Sequence, residues 1–428
     1  MRRWLAGLGL VLLLAAGIWL RLTYVHYFPL VPDEIGGPPA SPPVLAAFGD
    51  DPPVLTIADW EGRRAPLLRA AFAENVYGPM PPALPGRVEK QVSLHDNERL
   101  VEVEGERLRQ LTVGFGEAGE RGQVNVVLAM PPQGTPVRAL IVMQNFCGND
   151  AAVNWRFKAV VSLAAPPKFC KGPMGFAAHI ILGRYINGPP LRRLTDRGYA
   201  VAMVYAADLV PDDARTAPAA LRKLYGTDAT PGGALAAWAW LYSELGEVLT
   251  REPGLAGTPV VAWGHSRNGK AALLAGAVYP GVAGVIAHQS GRGGAALTRG
   301  TVGETVAQIT GEFPYWFTPR YATYAGREAA IPVDQHQLLA LAAPKPVLLG
   351  SGDRDRWGDP SGSYRAVQGA WPAYRLYGVP PMAQTKLVEP DLTRPLASFM
   401  RHGTHGVTTA DWTTFLTFLD AHFPPPKA

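Results

Sequence analysis

Pro259-Val260-Val261-Ala262-Trp263-Gly264-His265-Ser266-Arg267-Asn268-Gly269-Lys270 is the stretch whose reading decides the fold. An apolar run ends at Gly264, a serine follows two residues later, and an Ala/Leu-rich helical segment, 271–277, begins at once. A sharp strand-to-helix turn of this kind lifts a serine hydroxyl out of the backbone and exposes it as a nucleophile. The pattern is irregular, because Asn268 stands where a small residue is usual and the glycine comes one place later. Ser266 taken alone is equally a helix N-cap, a frequent role for serine at a helix start.

Outward from this junction the chain alternates strands and helices. Strands are expected at 89–94, 107–115 and 124–130, which open the sheet in antiparallel fashion, then at 139–144, 200–205, 259–263, 282–288, 346–350 and 397–400. Helices are expected at 60–74, 233–251, 269–278, 335–342 and 410–423. Strand–helix alternation implies a mostly parallel sheet covered on both faces. Two long irregular stretches, 151–194 and 291–330, read as insertions at loop ends, where function usually sits. No internal repeat is visible, and one catalytic domain over 54–428 is the economical division.

The amino terminus speaks to compartment. Met1-Arg2-Arg3 precedes the apolar run 4–20, flanked by Trp4, Trp19, Tyr24 and Tyr27, and no small-x-small cleavage site follows it. Residues 1–28 therefore read as a membrane anchor or signal segment, with the uncleaved anchor favoured and the remainder exported. A Pro/Gly-rich linker, 29–53, follows. The chain is 47% hydrophobic and 18% charged, ample for a buried core. A formal charge of +5 with no Lys/Arg run gives no sign of a nucleic-acid partner. Cys147 and Cys170 permit one bridge in an oxidising compartment, and no Cys/His cluster suggests a metal site.

A serine nucleophile needs a base, normally histidine, oriented by a carboxylate. In α/β-hydrolases the order along the chain is serine, acid, histidine. The run 346–350 empties into Ser351-Gly352-Asp353-Arg354-Asp355, with Asp359 close behind, so the acid has three candidates. Arg401-His402-Gly403-Thr404-His405-Gly406 follows the last strand, and His405 is the better base because Gly403 and Gly406 flank it. Arg267 and Lys270 oppose the helix dipole at a cost of about 0.3–1 kcal/mol each. Two such cations beside a candidate nucleophile suggest a substrate-facing role. Arg267 also brings its backbone N–H to an oxyanion site.

Beyond these residues the chain resembles the glucuronoyl esterases, carbohydrate esterase family 15. Gly264-His265-Ser266-Arg267-Asn268-Gly269-Lys270 is similar to that family's nucleophile segment, and Glu74-Asn75-Val76-Tyr77-Gly78, Asn145-Phe146-Cys147-Gly148-Asn149 and Ser290-Gly291-Arg292-Gly293-Gly294-Ala295 resemble others. So do Gly303-Glu304-Thr305-Val306-Ala307, Phe313-Pro314-Tyr315-Trp316-Phe317 and Trp357-Gly358-Asp359-Pro360. The resemblance runs from about residue 60 to the end. It implies a three-layer α/β/α sandwich with long loop insertions and no cofactor. It implies hydrolysis of (4-O-methyl-)glucuronoyl esters such as those joining carbohydrate to lignin. Ser266 becomes the nucleophile, His405 the base, Arg267 the oxyanion partner, and Lys270 and Trp316 sugar contacts.

One position departs from the pattern. Many members place the catalytic glutamate where this chain has Gln289, and glutamine is no charged orienter. Asp355, two residues before Trp357, fits the alternative acid position used by some bacterial members, with Asp353 as fallback. The rival readings are a polysaccharide acetyl esterase or small alkyl-ester hydrolase on the same scaffold, and a non-catalytic glycan-binding relative.

Overall fold

Strand β4 (Ala139–Asn145) shows how the sequence makes the layers. Leu140 and Val142 enter one core while Ile141 and Met143 enter another, and all four are fully buried. A strand buried on both faces must be continuously apolar, and its neighbours must be too. The structure, a computed structural model, describes residues 29–31, 41–93, 108–153, 161–170, 182–300 and 302–426. The expected anchor or signal segment, 1–28, lies outside the described residues. Among the described residues no helix is long and apolar enough to cross a membrane.

The remaining strands are β1 (Gly86–Ser93), β2 (Leu108–Phe115), β3 (Gly122–Ala129), β5 (Tyr199–Tyr205), β6 (Val260–His265), β7 (Val282–His288), β8 (Val347–Gly352) and β9 (Leu396–Arg401). They lie in the order β1-β2-β3-β5-β4-β6-β7-β8-β9. Pairing is antiparallel from β1 to β5 and parallel from β5 through β9. Each expected strand is present, and the architecture is a mostly parallel α/β sheet flanked by helices.

Helices α1 (Ala65–Phe72), α2 (Ala234–Leu249), α3 (Arg267–Val278), α4 (Gln335–Ala340) and α5 (Pro360–Leu376) cover one face. Helix α6 (Thr409–His422) covers the other, where Trp412 stacks on Trp263 of β6 at 5.4 Å with ring planes 14° apart. Helix α5 was not anticipated. It starts from Asp359, whose carboxylate accepts the Gly362 N–H at 2.8 Å, and it carries Pro372 in its interior. Residues 41–53, expected as linker, pack onto the domain: Val44 is buried in the main core and Asp51 pairs with Arg64 at 2.7 Å. Cys147 and Cys170 form a disulfide, which ties the loop after β4 to the turn Lys168–Cys170.

Trp412 is fully buried against Trp263 and Phe415. Trp412→Ala is expected to destabilise the fold by about 3–5 kcal/mol. The check is a lower guanidinium midpoint with an unchanged slope.

Candidate active site

β6 ends at His265 and α3 begins at Arg267, so Ser266 must turn the chain within one residue. It does so at φ 55°, ψ −125°, a left-handed conformation that non-glycine residues seldom hold. Its N–H donates to His288 O at 2.9 Å, and its hydroxyl caps nothing on the helix. The N-cap role open from sequence is thus not the one Ser266 plays. The delayed glycine has a steric reason. A Cβ on Gly264 would lie 2.1 Å from Asn268 O, and one on Gly269 would lie 3.0 Å from Gly264 O and 3.1 Å from His288 O. Asn268 itself is buried and donates its amide to Gln144 O at 3.2 Å. Close backbone approach therefore falls to Gly269.

The three acidic candidates after β8 separate cleanly. Asp355 Oδ2 lies 2.8 Å from His405 Nδ1, while Oδ1 accepts the Gly358 N–H at 3.1 Å. Asp353 Oδ2 lies 2.8 Å from His402 Nδ1, a ring 77% exposed and turned to solvent. Asp359 caps α5. Burial of Asp355 would raise its pKa, but the charge and hydrogen bond of His405, with the Gly358 N–H, outweigh burial and leave it lowered. Asp355 thus stays ionised beside the imidazole.

Gln289 stands at φ 47° directly after β7. Its Oε1 accepts the Gly406 N–H at 2.7 Å, and its Nε2 donates to Thr404 O at 3.2 Å. One amide side chain therefore grips the backbone on both sides of His405. This brace needs a donor and an acceptor together, and a carboxylate would set a negative oxygen against Thr404 O.

Ser266 and His405 line a pocket of about 230 Å³ together with Arg267, Lys270, Gln289, Glu304, Trp316 and Trp357. Lys270 Nζ donates to Ser290 O at 2.7 Å and Arg292 O at 2.8 Å. Burial brings its pKa down to about 8, with Glu304 pulling upward against it. Burial likewise raises Glu304, opposed by Lys270. Arg267 Nε pairs with Asp212 Oδ2 at 3.0 Å, and its guanidinium lies over the Phe146 ring at 5.0 Å. Trp316 contributes a wall rather than a free donor: its Nε1 donates to Asp212 Oδ1 at 2.8 Å, and its ring stacks on Phe313 at 3.9 Å. Trp357, half exposed at the rim, adds a second indole to the same pocket.

Glu304 and Trp357 were visible only as members of motifs, whereas Asp212, in a polar loop, carried no signal. Among the described residues no group of three His, Cys, Asp or Glu side chains could hold a metal ion.

With this geometry at the mouth of a parallel sheet, the chain is a serine esterase of the α/β-hydrolase class. A family model described as "Glucuronyl esterase, fungi" matches residues 188–378. A carbohydrate esterase, MZ0003, from an unknown prokaryotic organism is 29% identical over 91% of both chains. The 4-O-methyl-glucuronoyl methylesterase 1 of Wolfiporia cocos is 34% identical over 37% of this chain and 40% of its own. The structure of a glucuronoyl esterase from Solibacter usitatus superposes with a TM-score of 0.73 and 27% identity, covering 90% of this chain and 98% of that one. These similarities together support a glucuronoyl esterase of the bacterial type, carbohydrate esterase family 15.

Arg267, Tyr315 and Trp316 all share Asp212 as a partner. Asp212→Ala should lower kcat/KM for ester hydrolysis about 10- to 100-fold, the worth of a hydrogen bond to a charged group. Initial rates on a protein of unchanged circular dichroism provide the check.

Proposed function

We propose that this protein hydrolyses glucuronoyl esters, 4-O-methylated ones included, through an acyl-enzyme on Ser266. The observation that carries the reading is the 2.8 Å contact between Asp355 Oδ2 and His405 Nδ1, with His405 and Ser266 lining one pocket. Ser266 Oγ attacks the ester carbonyl while His405 Nε2 takes its proton, and Asp355 stabilises the imidazolium that forms. The Arg267 backbone N–H and guanidinium meet the developing oxyanion. Collapse breaks the ester C–O bond, and His405 returns the proton to the departing alcohol. Water then attacks the acyl carbon by the same route, releasing the uronate and restoring Ser266.

The pocket chemistry suits an uncharged sugar ester. Arg267 is already paired with Asp212, and the Lys270 ammonium is held by two carbonyls beside Glu304. Apart from the Arg267 donors at the oxyanion, the pocket offers a substrate one N–H from Lys270 and acceptor oxygens from Glu304, both fitted to hydroxyls. Trp357 at the rim is an apolar face for the sugar ring or an aryl alcohol.

The reading is tested by initial rates on benzyl glucuronate and on acetylated xylan. Preference for the glucuronate is expected, and equal or greater activity on acetyl esters would sink the assignment in favour of a deacetylase. Asp355→Asn should lower kcat by about 10³- to 10⁴-fold, and Asp353→Asn should change it less than about threefold.

A pH dependence follows from Lys270. Below about 8 its ammonium has a third N–H for the pocket. Above that pH the neutral amine spends both N–H bonds on Ser290 O and Arg292 O and turns a lone pair to the substrate. KM should rise as pH passes upward through about 8, and Lys270→Met should abolish that rise.

We further propose that the domain works outside the cytoplasm, tethered by residues 1–28. The basic start and apolar run of that segment and the Cys147–Cys170 disulfide support this placement. Fractionation of cells carrying the full chain, with and without residues 1–28, is the check: membrane retention only of the full chain is expected.

A further inference from the structure

The mechanism leaves four ionisable groups unused behind His405, three of them buried and the fourth, Arg401, half-buried. His265 and His288 are the last residues of β6 and β7, and the parallel register sets them side by side. Their Nδ1 atoms are 3.0 Å apart, and both rings are buried. His288 Nε2 lies 3.1 Å from Asp411 Oδ1 on α6, a close charge contact more than an aligned hydrogen bond. Asp411 in turn faces Arg401 Nε at 3.0 and 3.1 Å and accepts the Thr408 N–H and hydroxyl at 2.8 Å each. At the other end of the chain of contacts, the His265 ring centroid is 4.6 Å from that of His405.

Two ring nitrogens 3.0 Å apart can share only one proton favourably. Asp411 decides which ring donates. Burial alone would raise its carboxyl, but His288 and Arg401 hold it well below the usual carboxylate range, so a negative charge faces His288 Nε2. A lone pair there would be repelled, so the His288 proton sits on Nε2 and leaves Nδ1 as acceptor. His265 must then donate from Nδ1, and its Nε2 is a bare lone pair. That Nε2 is buried and has no hydrogen-bond partner among the described residues.

We propose that Arg401, Asp411, His288 and His265 form a positioning array for His405. The array locks His265 in one neutral tautomer, with an unshared lone pair buried beside the ring that becomes cationic in every catalytic cycle. A protonated His265 would oppose the imidazolium at that distance, and a neutral one with a free acceptor favours it. Burial first, then the charges of His405, His288, Arg401 and Arg267, hold His265 far below the ordinary histidine value. The groups facing this pair are therefore Asp411 from α6, Arg401 from β9, Arg267 from α3 and Asp355 from the loop after β8. Uncharged rings also pack here: Phe146 lies 5.9 Å from His265, and Phe415 and Phe399 lie 5.3 Å and 6.2 Å from His288.

The inference rests on His405 acting as the base, as proposed above. His265→Phe keeps a ring in place and removes the lone pair. It should lower kcat about tenfold, leave KM unchanged, and move the acid limb of the kcat/KM profile down by about one pH unit, because His405 becomes less basic. Asp411→Asn should move the limb in the same direction. In the unsubstituted protein, ¹⁵N-labelled imidazoles should report His265 as the Nδ1–H tautomer and His288 as the Nε2–H tautomer at every pH where activity is rising. This readout decides the matter even where a substituted protein fails to fold. A folded His265→Phe with an unmoved limb, or a His265 that carries its proton on Nε2 or titrates in that range, overturns the array. Undiminished hydrolysis by His405→Ala would instead remove the reading on which the array rests.

Discussion

Everything in this site hangs on one hydrogen bond, Asp355 Oδ2 to His405 Nδ1 at 2.8 Å. Its two residues come from loops that follow adjacent parallel strands, β8 and β9, whose last paired residues are Gly352 and Arg401. Parallel pairing brings both loops to the carboxyl end of the sheet, where Ser266 also emerges from β6. The contact is further bounded by the Asp355–Gly358 turn on one side and the Gln289 brace on the other. The brace adds two hydrogen bonds to a histidine loop rich in glycine. Gln289 is therefore a support for the loop rather than a degraded acid, and the acid's place after β8 leaves the end of β7 free to supply it.

A second constraint is charge. The pocket walls carry Arg267, Lys270 and Glu304, yet each cation has a partner: Asp212 for Arg267, and two main-chain carbonyls with Glu304 nearby for Lys270. The dipole penalty that made these cations conspicuous in the sequence is offset by these partners. Buried charge that is already matched gives directional hydrogen bonds without a large net field, a sensible environment for a neutral ester.

Much of this was legible in the chain. The nine strands follow from apolar runs bounded by turn residues, and the order serine, acid, histidine located the ends of β6, β8 and β9. Helix α5 was hidden because Gly362, Gly369 and Pro372 suppress helical propensity in its interior. Its start is set by Asp359 and its persistence by burial of Tyr364, Val367, Ala370 and Tyr374. The choice between Asp353 and Asp355 was not settled by composition. Their loop folds so that one carboxylate turns inward to His405 and the other outward to His402, a difference of direction that spacing does not encode. Asp212 was invisible because its partners lie more than fifty residues away in the chain. The pairing of His265 with His288 was equally hidden, since it arises from strand register.

The central claim is that His405 Nδ1–H donates its hydrogen bond to Asp355 and to no other acceptor. The low-field proton resonance of that hydrogen bond, followed in ¹⁵N-histidine-labelled protein, tests it directly. The account predicts a resonance coupled to His405 Nδ1 that persists in Asp353→Asn and in Gln289→Ala and is lost in Asp355→Ala. A resonance that survives Asp355→Ala, or that disappears with Gln289, would contradict it.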